Sequence, residues 1–144
     1  MSDEFLGTWS GTKTCGESKG FDEYCKEMKT ENDVIETFRK VTIGLKYSRK
    51  DDGQLEVCVL SDGQNIKTTA FKSGEEFESQ GFDDKTYKIV TTVNGNNSEE
   101  TSIPVDGFHK GTKTLRTIKD GIMHVKSFSI ANPSVTMEYT MTKT

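Results

Sequence analysis

Five aspartate- or asparagine-glycine pairs punctuate this chain: Asp52-Gly53, Asp62-Gly63, Asn94-Gly95, Asp106-Gly107 and Asp120-Gly121. Such pairs tolerate positive φ at both central positions of a tight turn, which two-residue hairpins require. A sixth turn fits Gly81 to Asp84, and a seventh Ala131-Asn132-Pro133. Strand-like segments lie between them, at about 42–50, 54–61, 64–72, 75–80, 85–93, 98–105, 111–118, 122–130 and 134–143. An N-terminal strand opened by Phe5-Leu6-Gly7-Thr8-Trp9 brings the set to ten. An up-and-down sheet of that size curls and closes, because closure removes exposed edges. The predicted fold class is all-β: one ten-stranded antiparallel barrel over residues 1–144. The weakest segment is 94–111, where Pro104 cannot donate to a ladder, so this strand is expected to be weak or to lie beside a gap.

One stretch departs from the strand pattern. In 21–41, Phe21, Tyr24, Cys25 and Met28 fall at i, i+3, i+4 and i+7, along one face of a helix. Lys29 and Thr30 interrupt the pattern, and Asn32 and Asp33 suit the N-cap of a second helix whose stripe is Val34, Ile35 and Phe38. Arg39 and Lys40 sit in its last turn, where cations suit the carbonyl end of the helix dipole. Two short amphipathic helices in a β chain need something to cover. They are expected to close the barrel mouth as a lid over about 17–41.

Only 31% of the 144 residues are hydrophobic, below the usual globular range. A barrel enclosing a partly polar cavity would fold with so few; so would a small core with long polar loops. Net charge is −4 with the signs well mixed, which argues against a nucleic-acid partner. No run approaches transmembrane length, and the acidic start MSDEF without an apolar stretch after it does not read as a signal peptide. Cys15, Cys25 and Cys58 are an odd count without CxxC spacing, as expected of free thiols in a reducing, cytoplasmic compartment. His109 and His124 are the only histidines, in no catalytic or zinc-ligand spacing, and no phosphate-loop motif occurs. An enzyme, a cofactor and a metal site are therefore not expected.

With the turns and the lid in place, the residues resemble the intracellular lipid-binding proteins, that is, the fatty-acid-binding and cellular retinoid-binding family. Phe5-Leu6-Gly7-Thr8-Trp9 is similar to the family's opening F-x-G-x-W, and Phe21-Asp22-Glu23-Tyr24 to the start of its first helix. Phe71 to Phe77 is similar to its F-x-x-G-x-E-F, and Asp83 to Lys88 to the polar turn and strand that follow. The resemblance runs the length of the chain. It implies a ten-stranded barrel with helix-turn-helix between the first two strands, and a monomeric carrier that binds a long-chain fatty acid or related lipid inside it. It also implies that the carboxylate is held by Arg116 and by Tyr139, aligned on Lys119-Asp120-Gly121 and on the C-terminal R-x-Y. Here that motif reads Met137-Glu138-Tyr139, so methionine replaces the second arginine. Other departures are an insertion near Cys15–Gly20, about two extra residues in the second helix region, Gln64 where a portal phenylalanine is common, and the polar 98–105 strand.

Strand parity extends the site. If Arg116 faces inward, so do Thr114 and Ile118; Met123, Val125 and Ser127 face in from the next strand, and Val135, Met137, Tyr139 and Met141 share one face of the last. Otherwise Arg116 lies outside with Lys113 and Lys119. An inward guanidinium needs a counter-charge, supplied by the cavity or by the ligand. Met137 either enlarges an apolar cavity or signals a neutral or bulkier ligand, such as a retinoid, fatty alcohol or acyl derivative. From the lid, Phe21, Tyr24, Met28 and Phe38 are candidate ligand contacts, and Lys26, Lys29, Arg39 and Lys40 either steer the portal to anionic membranes for transient contact or are solvated. In 54–60, alternation buries Leu55, Val57 and Val59, whereas the family register points Cys58 and Leu60 inward. A barrel acting mainly through a protein partner on its exterior is the alternative function.

Overall fold

The computed structural model describes residues 4–144; the first three positions of the expected 1–144 domain, and of the MSDEF start, lie outside them. Strand β1 (Gly7–Gly11) is followed by a 3-10 turn at Cys15–Glu17 and two helices, α1 (Phe21–Glu27) and α2 (Asn32–Arg39). Nine strands follow: β2 (Ile43–Arg49), β3 (Leu55–Ser61), β4 (Gln64–Phe71), β5 (Glu76–Gln80) and β6 (Thr86–Asn94). The rest are β7 (Asn97–Pro104), β8 (Thr112–Lys119), β9 (Ile122–Ser129) and β10 (Thr136–Lys143). All ten form one antiparallel sheet in the order β4-β3-β2-β1-β10-β9-β8-β7-β6-β5. The expected strands and the helix pair between the first two are therefore present.

Turn chemistry accounts for the tightest hairpins. Asp62-Gly63 and Asp120-Gly121 each have positive φ at both residues and join strands paired directly on either side, Ser61 to Gln64 and Lys119 to Ile122. That is the type I′ geometry, whose twist matches that of the strands.

Two expectations are corrected. The sheet does not close by hydrogen bonding: β4 and β5 are consecutive in the chain yet stand at opposite ends of the strand order. Strand β7, in turn, is neither weak nor beside that gap. It pairs with β6 from Asn97 to Pro104 and with β8 from Asn97 to Ser102. Pro104 lies past the last β8 partner, where its missing N–H leaves no ladder bond unmade.

The core fills the end of the barrel away from the lid. Phe5, Trp9, Leu45, Tyr47, Leu55, Phe71, Val93, Met123, Val125 and Met141 pack together there. The Trp9 indole N–H donates to the Phe5 carbonyl at 2.9 Å, satisfying its one polar group. In β3 local alternation prevails over the family register: Leu55 is buried and Val57 and Val59 pack on the core. Cys58 bonds outside with Thr68 at 3.4 Å. All three cysteines are free thiols.

In the lid, Phe21, Cys25 and Met28 are buried, as their spacing predicts. Helix α2 buries no residue completely, and it begins one position earlier than expected, capped at Glu31 without a side-chain bond. The Asp33 carboxylate instead accepts from the Val34 N–H. Arg39 ties the helices together: it bonds Asp22 at 2.8 Å, meets Glu36 at 3.5 Å and lies over the Phe21 ring. The Lys29 ammonium donates to the Phe108 carbonyl at 3.0 Å. Of the four lid cations, Arg39 and Lys29 thus hold the lid to itself and to the barrel.

Where α1 starts, Gly20 has φ 80°, and a Cβ there would collide with the Thr136 carbonyl on β10. Gly20→Ala is expected to cost about 1–3 kcal/mol, through the positive φ and the overpacking. Urea unfolding monitored at Trp9, far from the substitution, measures it.

Candidate functional site

The barrel interior holds two adjoining compartments, with Val59 and Phe82 on the walls of both. The upper, about 330 Å³, lies under the lid against Phe21, Tyr24, Cys25, Val34, Ile35, Phe38, Met137 and Tyr139. The lower, about 240 Å³, lies deeper, between Tyr47, Phe71, Phe77, Ile89 and a polar set of Lys67, Thr91, Glu100 and Arg116. A further opening of about 320 Å³ separates the helix link from the β5–β6 and β7–β8 loops and is lined by Met28, Lys29, Tyr87, Phe108 and His109. Beside it α2 touches the β5–β6 turn through Phe38 and Phe82, with ring centroids 5.2 Å apart.

The structure places Arg116 inside the barrel, its side chain 13% exposed. Its Nη1 lies 3.5 Å from the carboxylate of Glu100, whose side chain is 29% exposed. The Thr91 hydroxyl donates to the same carboxylate oxygen at 3.3 Å. Arg116 Nε is buried without a hydrogen-bond partner. The cavity therefore supplies a counter-charge to Arg116 but leaves one of its donors unmatched. Burial opposes the guanidinium charge, yet Glu100, joined by Tyr47 and Tyr139 once they ionise, holds it above its ordinary range.

The expected site residues separate into two groups. Phe21, Tyr24, Phe38, Met137 and Tyr139 meet around the upper compartment, and Met28 lines the outer opening. Met123 and Val125, at 0% and 2% exposure, give no surface to either compartment, and Ile118 packs on the same core. These three face inward, as parity predicts, but at the end where side chains fill the barrel.

Tyr47, Lys67 and Glu100 are site residues that sequence reasoning did not single out. Tyr47 shares the inward face of β2 with Leu45, and alternation alone would have found it. Glu100 carries no signal in the sequence because β7 is polar on both faces, with Asn97, Glu99 and Thr101 outward. Ser98 is 3% exposed and Glu100 lines the cavity, whereas Ile103 on the other face is 44% exposed. Lys67 faces inward by alternation with Phe71 and Thr69, but a bulge between it and the Asp62-Gly63 turn breaks the phase counted from that turn. Val59 pairs with Lys67 but Leu60 pairs with Asn65, so Ile66 is the extra residue. Asn65 and Lys67 consequently point to opposite faces, Asn65 to Thr68 outside and Lys67 to the cavity.

With this geometry the chain superimposes on several solved lipid-binding barrels. The apo structure of lipid binding protein 8 from Caenorhabditis elegans matches with a TM-score of 0.83 at 19% identity, covering 100% of this chain and 98% of that one. Fatty-acid-binding protein 1 of Echinococcus granulosus matches at 0.81 and 20%, covering 98% of each chain. The Schistosoma mansoni fatty acid binding protein, in complex with arachidonic acid, matches at 0.81 and 20%, covering 98% and 96%. This chain has the fatty-acid-binding-protein fold. No family model matches the sequence, and no curated protein does. In a barrel of this fold, a methionine at 137 and an inward glutamate at 100 give this interior its own charge pattern. Among the described residues no helix is long and apolar enough to cross a membrane.

All four tyrosines of this barrel resist ionisation. Burial pushes Tyr24 up to about 12, against hydrogen bonds from Thr112 and Ser127 that act the other way. Burial also raises Tyr47 and Tyr139, with Arg116 opposing, and it raises Tyr87, where the bond to Asp83 adds to the effect. Burial likewise raises the Cys15 thiol from 9.0 to about 11. A raised folded-state value means the folded chain holds the proton more tightly than the unfolded one. The resulting stability is complete below the unfolded value and is lost as pH rises through the folded one. Stability is therefore expected to decline from about pH 9 upward through these groups. At about pH 10, where a free tyrosine is half ionised, the folded protein should show little tyrosinate absorbance. Appreciable tyrosinate there in protein still folded by circular dichroism would contradict this placement.

Proposed function

We propose that this protein carries a long-chain fatty acid or similar amphiphile, bound non-covalently inside the barrel with its carboxylate at Arg116 and Tyr139. The observation that carries the reading is a buried arginine with an unmatched donor below an apolar chamber closed by two helices. A buried guanidinium is costly wherever its donors go unmet, and an entering carboxylate meets them. Tyr139 lines the upper compartment and is also close enough to feel the Arg116 charge, so it stands between tail and head group. The tail lies against Phe21, Val34, Ile35, Phe38 and Met137, where each methylene removed from water contributes about 0.8 kcal/mol. A charge-assisted hydrogen bond contributes about 1.5–3 kcal/mol. The tail thus supplies most of the affinity, and Arg116 the orientation. In this reading Met137 widens the apolar chamber. The neighbours of this fold support it, since several are named as fatty-acid-binding proteins and one is described with arachidonic acid bound. The three free thiols suit a reducing compartment.

A second reading has one observation in its favour. Glu100 already meets Arg116, so a neutral head group would leave no full charge bare at that residue. A fatty alcohol, retinoid or acyl derivative would then be the cargo.

Native mass spectrometry of freshly purified protein, with identification of what it releases, separates the two. A fatty acid near one-to-one is expected; a neutral lipid would favour the second reading. Arg116→Ala is expected to weaken fatty-acid binding about ten- to a hundredfold, the worth of a charge-assisted bond. Displacement of a fluorescent fatty acid measures it, and undiminished affinity would remove Arg116 from the site.

A further inference from the structure

The lower compartment holds three charged side chains: Lys67, Glu100 and Arg116. Two are cations and one is a carboxylate, and Glu100 is engaged with Arg116. Tyr47 stays neutral there, and Tyr139 does so in the compartment above, because burial raises both. One positive charge is left over. Resting on the carrier reading above, we propose that Lys67 is the second cation of the head-group site, binding the ligand's carboxylate jointly with Arg116 in place of the arginine that Met137 displaces.

Strand register fixes this placement. Lys67 follows Phe71 and Thr69 on the inward face of β4, opposite Val59, a residue on the wall of both compartments. The partners of the ammonium are the Gln80 carbonyl and, at 5.6 Å, the Phe82 ring. Neither cancels its charge, and burial pushes the ammonium below its ordinary range, with Glu100 and Asp83 opposing. A half-buried cation facing a cavity that also holds Arg116 favours an anion between them, so the ligand class is a singly charged amphiphile. Glu100 then acts as the selector. It occupies part of Arg116 and repels a second negative charge, which disfavours doubly charged head groups.

A purely mechanical role for Lys67 is a strap across the open seam, from β4 to the Gln80 carbonyl of β5. The two roles differ in what they discriminate. Loss of a strap weakens every ligand alike, whereas loss of a head-group cation weakens carboxylates selectively. The test measures oleate and oleyl alcohol, which share one chain, on the full-length wild type and on Lys67→Met, Lys67→Arg and Glu100→Gln by fluorescent-ligand displacement. The ratio of oleate to oleyl alcohol affinity is expected to fall about tenfold or more in Lys67→Met, to recover in Lys67→Arg, and to rise in Glu100→Gln. A wild-type ratio in Lys67→Met, including equal loss of both ligands, would overturn the assignment while leaving the carrier reading intact. Wild-type protein that takes up neither ligand would overturn both, and is recognised before any variant is made.

Discussion

The contact between Arg116 and Glu100 sets the charge of the barrel interior. Taking a guanidinium and a carboxylate out of water costs several kcal/mol each, and their attraction repays this only where geometry and further hydrogen bonds are good. Here the approach is 3.5 Å, one Arg116 donor is unmatched, and Glu100 keeps about a third of its side chain exposed. Such a pair contributes little to stability for what it costs to bury. Well-packed apolar residues would serve a merely structural purpose better. In the proposed carrier, its value would be as an electrostatic surface positioned before a ligand arrives.

The rest of the interior is consistent with that demand. Strand β7 is polar on both faces, with Ser98 and Glu100 inward and Asn97, Glu99 and Thr101 outward, unlike an ordinary core strand. Ser98 and Arg116 are direct partners across β7 and β8, and Glu100 follows two residues on, so the pair is fixed by sheet register rather than by a loop. Below it, Trp9, Phe5, Met123 and Met141 fill the closed end completely. Above it, α2 rests half-exposed and is held at its edges by Phe38 against Phe82 and by Arg39 against Asp22. Packing is tight where the fold is made and looser at the helices, as the proposed lid would require.

Much of this was legible in the residues. Asp62-Gly63 and Asp120-Gly121 specify their hairpins locally, because few other dipeptides accept two positive φ values in succession. The stripe from Phe21 to Met28 specifies α1 for the same local reason. Parity grouped Met137 and Tyr139 on one face of the last strand, while the inward choice for Arg116 came from the family resemblance, alternation alone leaving it open. Parity failed as a guide to the cavity wall at Ile118, Met123 and Val125, because alternation tells inside from outside but not full from empty. Glu100 is not marked for a different reason: β7 is polar on both faces, so alternation selects no inward side. The β4–β5 seam was beyond local sequence altogether. Turn residues say that two strands are joined, whereas pairing is decided by the curvature of the whole sheet.

That seam and the site above it are linked through Lys67. Strands β4 and β5 share no ladder, so side chains must span them: Phe71 stacks on Phe77 at 6.1 Å, and Lys67 reaches the Gln80 carbonyl. A hydrogen-bonded closure would fix the two strands rigidly, whereas a lysine on a four-carbon stem can exchange partners at little cost. An anion entering the lower compartment would compete with the Gln80 carbonyl for the ammonium, and a charged acceptor outcompetes a neutral one. Ligand binding and the tightness of the seam are then coupled through one side chain. By linkage, whatever loosens that strap favours the anion as much as the anion loosens the strap.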